Sequence, residues 1–324
     1  MIGDDVFRDD RVLPFQGEGL DVRGRVVRLG PAIDTILRRH AYPDAVSRAL
    51  AEATALTLLL GTTLKFEGRF ILQTRTDGPV RMIVVDFQAP DGVRACATFD
   101  KSLVAASVEA GRAGTIELLG RGHLAMTIDQ GPDMARYQGV VALEGESLEE
   151  AADQYFRQSE QIPTKVRLAV AENYTAGGGK AWRAGGMMIQ FLPASPDRMR
   201  MADLPPGDAP AGAEILAATE DEAWVEAKLL LGTVEDHELT DPNVAPEELL
   251  YRLFHELGVR VFESEPIVER CRCSRESVTS MLKNFGLADR RDMVADDGTI
   301  TVTCEFCNTR YAFTQEEAAE LMAG

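Results

Sequence analysis

The sequence predicts an α+β protein in three parts: an N-terminal mixed core domain over residues 1–195, an acidic and partly helical linker over 196–259, and a small four-cysteine domain over 260–324. Three observations carry that reading. Along the first part, helical and strand-like apolar periodicities are mixed without the regular βαβ repeat of a doubly wound sheet. From Pro193 to Pro210 the composition turns rich in Pro, Gly, Ala and Asp, the mark of a connector. Four of the five cysteines then fall as Cys271-Arg-Cys273 and Cys304-Glu-Phe-Cys307, two close thiol pairs separated by thirty residues.

Each element follows from local pattern. Helical periodicity runs from Ile33 to Leu60, and strand-like runs follow at Phe70–Thr74 and Met82–Phe87, with turns at Asp77-Gly78-Pro79 and Asp91-Gly92. Val93–Phe99 reads as another strand, which makes Cys96 a small core residue. Ser147-Leu-Glu-Glu150 is a capping box that opens an amphipathic helix through Tyr155 and Phe156, ending near Pro163. Strands return at Val166–Val170 and Met187–Phe191. In the linker, Ala213–Leu231 has helix-forming composition. Pro246–Leu257 is a clearer helix, with Pro at its start, Glu247 and Glu248 in its first turn, and an apolar stripe of Leu249, Leu250, Leu253, Phe254 and Leu257. Past the first thiol pair, Ser274 caps a helix running to about Phe285, where Gly286 stops it. Thr299–Thr303 and Arg310–Phe313 form a hairpin around the second pair, and Thr314-Gln-Glu-Glu317 caps the last helix.

The formal charge of −18 is unevenly spread: residues 201–250 hold thirteen Asp or Glu against the single base Lys228, a net of −12. Such a chain is repelled by phosphate backbones and anionic membranes, which argues against nucleic acid and membrane partners. Residues 261–324 do not reverse this, carrying twelve acids and seven bases. Mutual repulsion among the linker acids lowers the stability of its helices, so the segment is expected to need a partner surface and to be prone to an order–disorder transition. The N-terminus lacks a basic region followed by an apolar run, and the expected location is the cytoplasm.

The thiol spacing points to chemistry. Four thiolates at about 2.3 Å suit one tetrahedral zinc ion, and two short pairs on separate turns can deliver them, so Cys271, Cys273, Cys304 and Cys307 are the expected metal ligands. In a reducing compartment clustered cysteines favour metal binding or redox chemistry over a permanent disulfide framework. Close thiols can also oxidise, so the same residues suit a structural zinc ribbon, a redox switch or a thiol–disulfide enzyme. Arg270, Arg272, Arg275 and Arg310 are expected to offset the thiolate charge. The last sixty residues have few large apolar groups, so the metal should supply much of their folding free energy, about 10–16 kcal/mol in comparable peptides. No Ser/His/Asp set emerges, His40, His123, His237 and His255 show no metal spacing, and the residues around Gly177 to Lys180 lack phosphate-loop spacing. No catalytic residue is assigned.

Several segments together resemble the 33-kilodalton redox-regulated heat-shock chaperone family, bacterial holdases that work without ATP. Beside the two cysteine pairs these are Val22-Arg-Gly24, Leu64-Lys-Phe-Glu-Gly68, Asp77-Gly-Pro79, Arg136-Tyr-Gln-Gly-Val-Val141, Glu144-Gly145, Ser159-Glu-Gln-Ile-Pro-Thr164 and Ala184-Gly-Gly-Met187. The departures are an acidic N-terminal extension, a longer connector near Pro205-Pro206, and Asn308 where many members have Gly. The resemblance implies a reduced, zinc-bound, inactive protein and not an enzyme. Oxidants such as peroxide or hypochlorite would form Cys271–Cys273 and Cys304–Cys307 disulfides, and zinc would leave. Linker and C-terminal domain would lose structure, and uncovered apolar surface would hold unfolding clients, often as a homodimer. The stripe Leu249, Leu250, Leu253, Phe254 and Leu257 is the candidate client surface.

Overall fold

The computed structural model of the chain describes residues 9–64, 67–131, 134–144, 147–174, 179–192 and 221–323; the Pro193–Pro210 connector and the start of the helix expected from Ala213 lie outside them. The architecture is α+β. Strands β1 (Arg11–Gly17) and β2 (Val22–Leu29) form a hairpin, followed by helices α1 (Pro31–Arg38) and α2 (Asp44–Gly61). The single helical periodicity from Ile33 to Leu60 is therefore divided. Tyr42 precedes Pro43, whose ring disfavours the helical backbone at that position, and Ala41 sits at φ +47°.

Next come β3 (Arg69–Thr76), β4 (Val80–Gln88), β5 (Gly92–Phe99), α3 (Lys101–Glu109), α4 (Thr115–Leu119), β6 (Arg121–Asp129) and β7 (Tyr137–Glu144). The turn between β3 and β4 requires glycine at Gly78, where a Cβ would lie 2.3 Å from the Leu119 carbonyl oxygen. Helix α5 (Leu148–Tyr155) starts on the Ser147 capping box: the Glu150 N–H donates to the Ser147 hydroxyl at 3.1 Å, and the Ser147 N–H to the Glu150 carboxylate at 2.9 Å. The hairpin β8 (Thr164–Tyr174) and β9 (Lys180–Phe191) completes this part.

The linker supplies α6 (Glu222–Gly232), α7 (Asp236–Thr240) and α8 (Pro246–Phe254); the short strands β10 (Val259–Val261), β11 (Glu265–Pro266) and β12 (Val268–Glu269) lead from it into the C-terminal part. The C-terminal part holds α9 (Arg275–Lys283), α10 (Leu287–Asp292), the hairpin β13 (Ile300–Thr303) and β14 (Arg310–Phe313), and α11 (Gln315–Ala323). Ser274 caps α9, and Gly286, expected to end that helix, begins the next one.

The strands form two large sheets. The first has the order β10-β1-β2-β9-β8, with β11 also paired to β1; the second has the order β12-β5-β4-β3-β6-β7. Helix α2 lies between them. Its sequence, DAVSRALAEATALTLLLG, is apolar or small on nearly every side, and so it buries all round. Its buried hydroxyls are satisfied within the helix, Thr54 donating to Leu50 and Thr57 to Ala53 at 2.7 Å each.

The first sheet is apolar on both faces. Val12, Val27, Leu29, Val166, Leu168 and Met188 join α2 in the main core, while the alternate residues Leu13, Phe15, Val22, Val26, Met187, Ile189 and Phe191 point the other way. Trp224, Ala227 and Leu231 of α6, Leu239 of α7, and Leu249, Leu250, Leu253 and Phe254 of α8 cover that second face. Phe254 is fully buried and stacks on Phe15 with ring centroids 5.6 Å apart. Residues 221–259 of the linker are thus packed as a lid on the sheet, and among the described residues no helix is long and apolar enough to cross a membrane.

Truncating Phe254 to Ala removes a filled position between lid and sheet, at a cost of about 3–5 kcal/mol. The expected outcome is faster amide hydrogen exchange across α6 to α8 with β2 and β9 still protected. Equal acceleration in both would show that lid and sheet open as one unit.

Candidate metal centre

The chain reaches the first thiol pair along the edge of the second sheet. β12 pairs in parallel with β5, the Val268 N–H donating to Asp91 at 2.8 Å and the Arg270 N–H to Val93 at 2.9 Å. Cys271 and Cys273 follow, and the Ser274 hydroxyl then accepts the Ser277 N–H at 3.1 Å to start α9. The second pair sits in the knuckle of the β13–β14 hairpin. It is closed by the Asn308 N–H donating to Cys304 at 2.8 Å and the Cys304 N–H donating to Thr309 at 3.0 Å. Asn308 has φ +57°, in the left-handed region where Gly is the default and Asn is tolerated.

Folding brings the four sulfurs together. Cys271 lies 3.4 Å from Cys273 and 3.7 Å from Cys304, Cys273 lies 3.3 Å from Cys307, and all four ligand atoms fall within 4.8 Å of one another. A tetrahedral zinc–thiolate site has sulfur–sulfur edges of about 3.8 Å, so the set could hold one such ion. Cys96, buried in β5, is not part of it; burial pushes its thiol up to about 12.

The cluster is electrostatically uneven. Burial and the neighbouring thiols push Cys273 up to about 12, against the Tyr311 hydroxyl, which donates to its sulfur at 3.1 Å. Burial also raises Cys307, but the Thr309 hydroxyl, 3.2 Å away, the Thr309 N–H and the adjacent thiols outweigh it and bring Cys307 down to about 6.

The four nearby arginines expected to offset thiolate charge are engaged elsewhere, three of them because carboxylates are better partners within their reach. Arg270 makes two 2.9 Å bonds to Asp91, Arg272 reaches Gln88 at 2.9 Å and the Asp86 carboxylate, Arg275 pairs with Glu317, and Arg310 donates to Thr301 at 3.3 Å. The bases that face the sulfurs come from the N-terminal part. Burial works against the charge on Arg94, but Asp86 and then the Cys271 sulfur more than offset it and raise its pKa. Arg39 is raised mainly by its hydrogen bond to Glu269, with smaller contributions from Cys307 and Cys271.

Asp86 is the hub of this interface. Only 2% exposed, it accepts from Arg69 at 3.1 Å, from Arg94 at 2.7 Å and from Arg272, the residue between the first two thiols. Arg69 and Arg94 overcome burial and hold its carboxyl below the ordinary range. Around it, Phe306 of the second pair packs under the Arg94 guanidinium at 4.0 Å, its carbonyl lies 3.1 Å from the His40 Nε2, and the Asn308 amide donates to the Arg39 carbonyl at 2.8 Å. Sequence spacing alone could not find Asp86, Arg94 or Arg39, which lie far from the cysteines along the chain. The candidate client residues Leu249, Leu250, Leu253 and Phe254 are instead buried in the lid, and Leu257 packs against them half-buried.

Cys304→Ser is expected to abolish tight zinc binding and to melt α9 to α11 while both large sheets stay folded, read by metal analysis after gel filtration and by amide NMR spectra. Stoichiometric zinc in the variant would remove Cys304 from the ligand set. Asp86→Asn leaves three guanidiniums around a neutral amide, a loss of about 3–5 kcal/mol for a broken buried pair. It should open residues 262–270 to limited proteolysis with zinc retained, and unchanged cleavage would show that Asp86 does not hold the interface.

Comparison with known proteins places this geometry. The family model described as Hsp33 protein matches residues 10–314. The chain is 47% identical over 304 residues to the 33 kDa chaperonin of Caulobacter vibrioides (strain NA1000 / CB15N), spanning 94% of each chain. It is 35% identical over 316 residues to that of Pseudomonas aeruginosa (strain UCBPP-PA14), spanning 97% of this chain and 95% of the relative. Its fold is similar to the crystal structure of the 33 kDa chaperonin (heat shock protein 33 homolog) from Thermotoga maritima, with a TM-score of 0.74 and 22% identity over 97% of this chain and 98% of that one. The chain therefore belongs to the Hsp33 family, a family of chaperones and not of enzymes.

Proposed function

We propose that the protein is a redox-gated holdase of the cytoplasm, in which residues 260–324 form the sensor, 196–259 the lid and 1–195 the body that carries the client surface. The observation that carries this reading is continuity. The last lid helix, α8, leads directly through β10, β11 and β12 into Cys271, so the cover of an apolar sheet and the four-thiol cluster are consecutive on the chain.

Zinc, when bound, holds the four sulfurs as thiolates and ties both knuckles together. Under peroxide, each pair of thiolates gives up two electrons, and the solvent supplies two protons. One S–S bond forms, while one peroxide O–O bond breaks to give two water molecules. The pairing Cys271 with Cys273 and Cys304 with Cys307 is carried over from the family resemblance; sulfur separations of 3.3–3.7 Å do not choose among neighbours. Sulfurs joined in pairs no longer supply four donors. The C-terminal part then rests on a cluster of six buried apolar side chains, Val278, Leu282, Ile300, Phe313, Ala318 and Leu321. That is too small a core for independent stability. Loss of this anchor frees the strands 259–269 and then the lid, whose acids repel one another. The exposed outer face of the first sheet, together with the apolar stripe of α8, would hold unfolding proteins without ATP, with the active form a homodimer.

The test is light scattering from a thermally aggregating client, without ATP, with either reduced zinc-loaded protein or protein treated with peroxide at elevated temperature. Suppression by the oxidised sample alone is the expected result. Equal behaviour of both samples would reduce the cysteines to a structural zinc site and refute the gate.

A further inference from the structure

The face beneath the lid is not only apolar. On each of its four long strands the row of apolar side chains is accompanied by an arginine of the same parity: Arg11 with Leu13 and Phe15 on β1, Arg28 with Val22 and Val26 on β2, Arg183 with Met187 and Ile189 on β9, and Arg167 with Ala169 on β8. Arg11 stands opposite Arg28 in the ladder, and Arg28 opposite Gly185, two residues from Arg183, so these three guanidiniums gather at one end of the face, and Arg167, opposite Met187, extends the band toward its middle.

The lid meets every one of them. Arg11 pairs with Glu247 at 3.0 Å, and Arg167 pairs with Asp236 at 2.5 Å while lying 3.6 Å from Glu149 of the body. Arg183 donates to the Thr240 carbonyl at 2.5 Å and to Asp9 at 2.8 Å. Arg28 is 1% exposed; its two terminal nitrogens donate to lid carbonyls, Glu238 at 3.2 Å, Val244 at 2.6 Å and Asp241, while its Nε is buried without a hydrogen-bond partner. No carboxylate among the described residues bonds it. When the lid leaves, Arg28 loses each of these acceptors.

Backbone carbonyls outside helix or sheet are what an unfolded chain offers and a folded one has already satisfied. We propose that the arginine band is a client-reading element: the uncovered face selects acidic amphipathic segments of unfolded protein, taking their apolar side chains on the strand centres and their carboxylates and unpaired carbonyls on Arg11, Arg28, Arg167 and Arg183. The lid, with nine acids across residues 221–250, is the internal likeness of such a segment. The net charge of −18 would by itself favour basic clients, so a preference for acidic ones must come from this local band.

The inference rests on lid release, and the experiment separates the two. Full-length protein, reduced or oxidised by peroxide at elevated temperature, is titrated by fluorescence anisotropy against two labelled peptides that share Leu and Phe positions and carry Glu or Lys at the remaining ones. The oxidised protein is expected to bind the Glu peptide about tenfold more tightly, the ratio shrinking with added salt. Arg11→Gln with Arg167→Gln, positions at the partly exposed rim, should bring the ratio within about twofold. Equal binding by the unmodified protein, or a ratio unchanged by the two substitutions, overturns the charge reading alone. Failure of the oxidised protein to bind either peptide overturns lid release and the inference with it.

Discussion

A sheet that is apolar on both faces cannot stand in water, and the rest of this molecule follows from that constraint. One face of the first sheet is closed permanently by α2, a helix buried on all sides and shared with the second sheet. The other is closed by α6 to α8, helices with one apolar side and a heavy acid load. The two closures differ in kind. Removing α2 would dismantle both sheets, whereas the lid touches the body through one surface whose strands keep their ladders without it. The hydrophobic effect holds the lid down, and the arginine band relieves the repulsion among its acids.

Closing that surface conditionally requires a tie that can be cut, and the tie lies where the lid ends. Residues 259–269 add edge strands to both sheets, so the chain entering Cys271 is stitched to the body before the metal centre begins. Asp86 then takes Arg272 from between the first two thiols, together with Arg69 and Arg94 of its own sheet. A buried carboxylate among three guanidiniums is favourable only while all of them are in place. A change in the path of the chain at Cys271–Cys273 therefore disturbs a buried charge cluster as well as a surface contact.

The parts of this arrangement written in short-range pattern were legible in the sequence. The capping boxes at Ser147 and Thr314, the cap at Ser274, the hairpin around the second thiol pair and the strand status of Cys96 depend on residues a few positions apart. The four sulfurs were legible because metal chemistry constrains spacing. What stayed hidden depends on distant partners. Arg270 and Arg272 flank thiols in sequence and were assigned to them, yet Asp91 and Asp86, some 180 residues upstream, claim them. The break between α1 and α2 was masked by unbroken apolar periodicity, although Pro43 carried the signal. The short strands at 259–269 have too few residues for any alternation to be read.

The position of the sensor relative to the lid has an energetic logic. Metal-dependent folding of a small domain contributes on the order of 10–16 kcal/mol, more than the whole stability of many domains. In the C-terminal part that free energy would support a cluster of six buried apolar side chains among the described residues and a two-stranded hairpin. The body has its own core around α2 and gains nothing directly from the thiols. In the proposed gate, oxidation at the cluster would act on the one region that depends on the metal to fold, and would reach the lid through strands of two or three residues. A sensor embedded in the main core would have to unfold the client surface in order to expose it. Placed beyond the lid, the proposed sensor would remove the cover and leave the sheet beneath it intact.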